Sequence, residues 1–86
     1  MPENPARGPD RLRYRLTVDA CPQAALRVLG LFAQRALLPD VRLENRARSG
    51  LLIVELALGR AEGEILLHKL RAIPAVRTAG MQRLRS

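Results

Sequence analysis

Apolar and polar residues alternate along several segments of this chain and recur at helical spacing along others. Between Arg11 and Asp19, every even position is apolar and every odd position is polar, mostly arginine. A period of two predicts a strand with one buried face and one cationic face. Similar patterns predict strands over Val41–Ser49, Leu51–Leu58 and Val76–Leu84, the last with a β-bulge at its glycine, Gly80.

Two segments between these strands have the spacing of amphipathic helices. We expect the first helix over Gln23–Ala36 and the second over Ala61–Ile73, each followed by a proline that cannot continue a helix. The first helix would bury the stripe formed by Ala25, Leu29, Phe32 and Ala36. The order β-α-β-β-α-β predicts an α+β, ferredoxin-like fold, in which two helices cover one face of a four-stranded antiparallel sheet.

Length and composition limit the chain to one small domain. It has 86 residues, of which 48% are hydrophobic and only Tyr14 and Phe32 are aromatic. The proline-rich residues 1–10 predict a flexible tail before a domain over 11–86. We expect a cytoplasmic protein, because no apolar run approaches membrane-spanning length and the first residues cannot form a secretory signal.

The reactive side chains are too few for the common catalytic and metal sites. The chain has one cysteine, Cys21, and one histidine, His68, so that neither an internal disulfide nor a metal cage of these residues can form. It also lacks a glycine-rich phosphate loop and a suitable pair of carboxylates. We therefore predict a non-catalytic binding domain without a metal or cofactor.

The net charge of +7 and the alternating arginines predict a cationic outer sheet face. The candidate partner face consists of Arg13, Arg15, Arg42, Arg46 and Ile53. An acidic partner and plain solvation both fit this composition. Nucleic acid is less favoured, because the face has no aromatic ring on which bases could stack.

The second strand is expected at an edge of the sheet, where its backbone groups are unpaired. It contains no proline that would block pairing with another strand. We predict a homodimer through this edge, with Val41, Leu43 and Asn45 at the contact.

Part of the sequence resembles the ACT domain family. Residues 19–36, which read DACPQAALRVLGLFAQRA, look like the first loop and helix of an ACT domain. The run Arg27–Arg35 is similar to the helix of the small regulatory subunit of acetolactate synthase (acetohydroxyacid synthase), and Leu66–Val76 is similar to that family's second helix and its exit.

The resemblance implies a regulatory subunit that activates a large catalytic acetolactate synthase subunit in branched-chain amino-acid synthesis. It also implies an amino-acid effector such as valine at the turn formed by Asp19, Ala20, Cys21, Pro22, Gln23 and Ala24. Gln23 stands where effector-binding members have glycine, which favours activation without strong feedback. The alternatives are a free-standing ACT module that regulates another enzyme and a nucleic-acid binder that uses the arginine face.

Overall fold

The computed structural model describes residues 10–84, which form the predicted order of strands and helices. The elements are β1 (Asp10–Asp19), α1 (Pro22–Gln34), β2 (Asp40–Asn45), β3 (Ser49–Leu58), α2 (Arg60–Arg71) and β4 (Val76–Leu84). The four strands form one antiparallel sheet in the order β2-β3-β1-β4. The predicted ferredoxin-like fold is confirmed. The predicted tail, apart from Asp10 at the start of β1, lies outside the described residues.

The central strands β1 and β3 carry the core on the face that the helices cover. Leu12, Tyr14, Leu16 and Val18 of β1 are at most 2% exposed, as their alternation predicts. Leu52 and Val54 of β3 lie in the same cluster, which the buried faces of α1 and α2 complete. β2 is an edge strand, as expected, and all six of its residues are exposed.

The buried stripe of α1 shares Phe32 with the prediction, and its other members lie one position earlier in the sequence than predicted. The helix buries Ala24, Val28 and Phe32, whereas Ala25 and Leu29 are half-buried at its flank. The predicted stripe also included Ala36, which lies beyond the helix. The helix ends before Pro39 because Ala36 adopts a positive φ of 59°, and the amide of Leu37 then donates to the carbonyl of Phe32. This is a Schellman termination, for which glycine is the usual residue.

One side chain ties the sheet to α2 through a buried hydrogen bond. The hydroxyl of Tyr14 donates to the carbonyl oxygen of Gly63 over 2.7 Å, and burial raises the pKa of this hydroxyl to about 12. The Tyr14 ring also packs edge-on against Phe32, with ring centroids 5.8 Å apart. Both aromatic residues are thus fully buried.

Two predicted details of the strands are wrong. β2 ends at Asn45 rather than Ser49, because the amide of Arg46 donates to the carbonyl of Ser49 and closes a tight hairpin. The irregularity of β4 lies at Arg77 and not at Gly80: Thr17 pairs with Thr78 and Val18 with Val76, so Arg77 is the extra residue. Gly80 pairs regularly with Arg15 and has no positive φ.

Candidate binding cleft and sheet edge

A concavity of the described chain lies where the β1–α1 turn faces the β2–β3 hairpin. Its volume is about 440 Å³, within the range of small-molecule sites. The lining residues are mostly small or apolar: Val18, Asp19, Ala20, Cys21, Pro22, Ala25, Leu43, Asn45, Arg46 and Gly50. We call this concavity the turn cleft.

The missing side chain of Gly50 keeps the turn cleft open between β1 and β2. Gly50 pairs with Val18 on one side and with Asn45 on the other. A Cβ atom at this position would lie 3.2 Å from Val18 Cγ2 and 3.4 Å from Leu43 Cδ1. A side chain there would therefore fill the space that these neighbours leave.

The electrostatic surroundings of the turn cleft favour an anionic group. α1 begins at the cleft with Pro22 at its first position, no acidic residue in its first turn and no side-chain cap. The positive end of the helix dipole is therefore not compensated locally. Arg46 lies on the hairpin side of the cleft, and its closest acidic contact is a weak pair with Glu44, at 3.4 Å. The carboxylate of Asp19 accepts a hydrogen bond from Arg77 Nε over 2.7 Å, which neutralises it.

The six predicted effector residues line two concavities in the structure, and Asp19 and Cys21 line both. Asp19, Ala20, Cys21 and Pro22 line the turn cleft opposite Leu43 and Asn45. Gln23 and Ala24 instead line a smaller concavity of about 240 Å³ on the other side of the turn, together with Arg27 and Pro74. Gln23 is therefore not among the residues that line the larger cleft.

Sequence reasoning missed several residues of the turn cleft. Arg46 was expected on a strand of the outer face, but it lies in the hairpin turn, where it lines both the turn cleft and an outer-face concavity with Arg15 and Thr17. Val18, Ala25 and Gly50 were not expected at a site. A turn over Ala47–Arg48, two residues before the Ser49–Gly50 signal, would have paired Gly50 with Asn45. The pairing of Gly50 with Val18 belongs to the β1–β3 register, which the hairpin turn does not set.

The predicted partner face is less cationic than its sequence indicates. Arg13 Nε is 2.8 Å from a carboxylate oxygen of Glu55, and Arg11 is 2.6 Å from Asp40. Arg15 and Arg42 instead flank Ile53 in one row of the sheet, and neither has a carboxylate within 4 Å among residues 10–84. Arg46 and Arg48 lie in the hairpin turn rather than on a strand.

The predicted dimer residues Val41, Leu43 and Asn45 lie on the exposed edge strand. Val41 and Leu43 are 43% and 48% exposed, although both side chains lie on the sheet face that the helices cover. The backbone hydrogen bond from Arg46 to Ser49 shows which residues of β2 bond to β3, because the backbone groups of successive residues on a strand point alternately to its two sides. Arg42 and Glu44 therefore bond to β3, whereas the backbone groups of Val41, Leu43 and Asn45 point outward.

The described residues contain no group of three or more metal-ligating side chains. Cys21 is exposed at the start of α1, and His68 is exposed on α2. Neither helix of the described chain is long and apolar enough to cross a membrane.

Comparison with known proteins finds a similar fold. The chain is similar to the C-terminal domain of the MgtC protein from Mycobacterium tuberculosis, whose solution structure superimposes with a TM-score of 0.73. The two chains are 20% identical, and the match covers 96% of this chain and 94% of that one. No protein-family model matches this sequence, and no curated protein does.

This comparison overturns the predicted function. A structural neighbour that matches over nearly the whole chain is the MgtC C-terminal domain, which is not a regulatory subunit of acetolactate synthase. The prediction of an acetolactate synthase subunit in branched-chain amino-acid synthesis is therefore wrong. The run Arg27–Arg35 misled because it supplies Val28 and Phe32 to the core. Any helix on a ferredoxin-like sheet needs such a face, so that the run indicates the fold rather than the partner.

Proposed function

We propose that this chain is a non-catalytic, ACT-like accessory domain, similar in fold to the C-terminal domain of MgtC, and that it binds a small molecule in the turn cleft. The ligand has an apolar body and a carboxylate, as amino acids do. The observation that carries this proposal is an apolar cleft with an arginine and an uncompensated helix N-terminus at the same place.

Each part of the ligand has a counterpart in the cleft. The apolar body would contact Pro22, Ala25 and Leu43, and it would remove the exposed side chain of Leu43 from water. The carboxylate would accept hydrogen bonds from Arg46, which has only one weak acidic neighbour among the described residues. Asn45 is placed to contact a second polar group of the ligand.

Binding is favoured over catalysis by the side chains that the cleft contains. Its titratable groups are the Asp19 carboxylate, the Cys21 thiol and the Arg46 guanidinium. The Asp19 carboxylate is already bonded to Arg77, and His68 lies on the other helix. These groups do not form a pair of nucleophile and base or of acid and base.

The test is a titration of the protein with a panel of free amino acids, followed by amide chemical shifts. We expect shifts at residues 19–22, 43–46 and 50 with at least one amino acid, and no shifts with the matching amino-acid amide, which lacks the carboxylate. Arg46→Gln should weaken binding by about tenfold or more, because a charge-assisted hydrogen bond is lost.

The control variant is Arg48→Gln, which removes the same charge from the same turn at a residue that does not line the cleft. It should bind like the unaltered protein. The proposal is wrong if no amino acid shifts these resonances. Equal weakening by Arg46→Gln and Arg48→Gln would also reject the site, because it would indicate a general charge effect.

A further inference from the structure

A second concavity lies on the outer face of the sheet, where β1 passes the start of β3 and the hairpin turn. Its volume is about 220 Å³, and the residues that line it are Arg15, Thr17, Arg46, Ser49, Gly50 and Leu51. Thr17 pairs with Leu51, and Arg15 and Ser49 lie two positions away on the same face of their strands. We call this concavity the outer concavity.

Four side chains of the outer concavity carry hydrogen-bond donors. Arg15 and Arg46 each contribute a guanidinium, and Thr17 and Ser49 each contribute a hydroxyl. Within the part of the chain that the structure describes, neither hydroxyl makes a hydrogen bond to another protein group. All four side chains can therefore donate to a bound molecule.

The charge of Arg15 is uncompensated, in contrast to that of the two arginines that precede it on the same face of β1. Arg11 is 2.6 Å from Asp40, and Arg13 is 2.8 Å from Glu55. Arg15 has no carboxylate within 4 Å among residues 10–84. The positive charge on this face is therefore concentrated at the end where the outer concavity lies.

The carboxylates closest to the outer concavity do not close it to an anion. Glu44 is 3.4 Å from Arg46, and both side chains are about half exposed, so that this contact is weak. The carboxylate of Asp19 is already bonded to Arg77. An anion that reaches Arg46 therefore displaces only one weak contact.

The approach to Arg15 is open from the side of β4. Arg15 pairs with Gly80 on that strand, and a Cβ atom at Gly80 would have no neighbour within 4 Å. The missing side chain leaves space beside the Arg15 guanidinium, which a ligand larger than the concavity itself can occupy.

We propose that the outer concavity binds a phosphate group. A guanidinium forms paired, charge-assisted hydrogen bonds with an oxyanion, and two guanidiniums match a group that carries more than one negative charge at neutral pH. Two arginines and two hydroxyls around one space also suit tetrahedral oxygens better than a planar carboxylate. The volume lies below the roughly 300 Å³ at which small-molecule sites begin, so the concavity takes this group and not a whole organic ligand.

This proposal does not rest on the proposed function. The outer concavity shares Arg46 and Gly50 with the turn cleft, but Arg15, Thr17 and Ser49 line the outer concavity and not the cleft. Binding of phosphate is therefore measured without any amino acid present, and it can fail or succeed independently of the cleft.

The test is a titration with sodium phosphate at pH 7 and constant ionic strength, followed by amide and arginine Nε–H chemical shifts. We expect saturable shifts at residues 15–17, 46 and 49–51. Sodium chloride should produce no saturable shift there. Sodium acetate should bind at least tenfold more weakly than phosphate, because its planar group has one charge and fewer oxygens.

Three variants separate a built site from a general effect of charge. Arg15→Gln should weaken phosphate binding by about tenfold or more, because a charge-assisted hydrogen bond is lost. Thr17→Val keeps the shape and the net charge, and it should weaken binding by about fivefold through loss of one hydroxyl. Arg11→Gln is the control, since it removes the same charge from the same face of β1 outside the concavity. It should bind phosphate like the unaltered protein.

Cosedimentation with vesicles of phosphatidylcholine and phosphatidylglycerol distinguishes the two sources of such a group. Binding to the vesicles that Arg15→Gln abolishes and Arg11→Gln preserves would assign the phosphate to a lipid headgroup. A protein that binds sodium phosphate but stays in solution with the vesicles would take the phosphate from a soluble molecule.

The proposal is overturned if phosphate and chloride produce the same shifts, or if Arg15→Gln and Arg11→Gln weaken binding equally. Equal weakening is the behaviour of a face that attracts any polyanion, such as RNA, through its overall charge. The amide spectrum of each variant verifies that it is folded. If Arg15→Gln does not fold, Thr17→Val decides, and unchanged phosphate binding by that variant would reject the site.

Discussion

The two edges of the sheet differ in how their backbone groups are covered. At the β4 edge, Arg71 of α2 donates a hydrogen bond from Nε to the carbonyl oxygen of Ala79 over 3.0 Å, and the extra residue Arg77 interrupts the strand. At the β2 edge, all six residues are exposed, and within residues 10–84 no side chain hydrogen-bonds to the strand backbone.

This difference indicates which edge is open to another strand. Bulges and side-chain caps are devices that prevent edge-to-edge pairing, and the β4 edge has both. β2 is a regular strand with charges of both signs, and its pairing with β3 shows no bulge. Among the described residues, one edge is therefore protected and the other is open, as the homodimer predicted through the β2 edge requires.

The largest expected effect is a fall in the free energy of unfolding at high pH, and it is caused by Tyr14, in the half of the molecule near β4. Tyr14 is neutral in the folded protein up to its raised pKa of about 12, whereas an unfolded tyrosine ionises near pH 10. The folded state therefore holds its proton more tightly, and the free energy of unfolding should fall as the pH rises from 10 to 12. The loss should reach about 2–3 kcal/mol.

Urea unfolding at a series of pH values measures this loss. Tyr14→Phe is the control, because it keeps the ring and removes the ionisable hydroxyl. The part of the difference in unfolding free energy between the two proteins that changes with pH is the contribution of the Tyr14 hydroxyl. A difference that stays constant from pH 9 to pH 12 would contradict the buried hydrogen bond to Gly63.

The next effect tests how closely α2 covers the sheet near β4. A Cβ atom at Gly63 would lie 2.5 Å from Leu12 Cδ1, 3.2 Å from the Tyr14 hydroxyl oxygen and 3.3 Å from Met81 Sδ. Gly63→Ala should therefore cost about 2 kcal/mol of unfolding free energy, because the helix must move away.

Gly30→Ala is the matched control in the other helix. A Cβ atom at Gly30 has no neighbour within 4 Å, so that alanine should stabilise α1 by about 0.5–1 kcal/mol. Chemical denaturation of both variants measures whether the unfolding free energy falls for Gly63→Ala and rises for Gly30→Ala. If both substitutions stabilise the protein, α2 does not pack as closely as the structure shows.

A smaller effect tests the hydrogen bond from Arg71 that covers the β4 edge. Arg71→Gln should cost about 1 kcal/mol, because the carbonyl of Ala79 loses its hydrogen-bond donor. Arg60→Gln is the control, since Arg60 lies on the same helix and makes only an exposed contact with Glu64, at 3.7 Å. Equal losses in the two variants would mean that Arg71 contributes charge alone.

The smallest effect lies in the connection that leads to β2. Ala36 has a φ of 59°, which costs an L-residue roughly 1 kcal/mol relative to glycine. Ala36→Gly should therefore stabilise the protein by up to about 1 kcal/mol, less the greater entropy of glycine in the unfolded chain. Thermal unfolding measures the change, and Ala33→Gly, within α1, should destabilise instead.

The sequence predicted the fold because each element has its own periodic pattern. The alternation at Leu12–Val18 places the core side of β1, and the spacing of Gly63, Leu66 and Leu70 places that of α2. The hairpin was misplaced because arginine and alanine continue the alternation past Asn45. Only the backbone bond from Arg46 to Ser49 shows that the strand ends there.

The candidate site could be predicted in part. The turn at Asp19–Pro22 and the facing residues of β2 follow from the topology, since α1 begins where β1 ends. The place of Arg46 and the open space at Gly50 depend on the hairpin register, which sequence alternation does not determine. The function was mispredicted because a helix face was read as a family signature.

The most direct test of the homodimer predicted through the β2 edge is amide hydrogen exchange, measured by NMR across a range of protein concentration. We predict that the amides of Val41, Leu43 and Asn45 become more protected as the concentration rises. Those of Arg42 and Glu44, which already bond to β3, and those of β4 should keep constant rates. Concentration-independent exchange at all three outward amides would contradict the account.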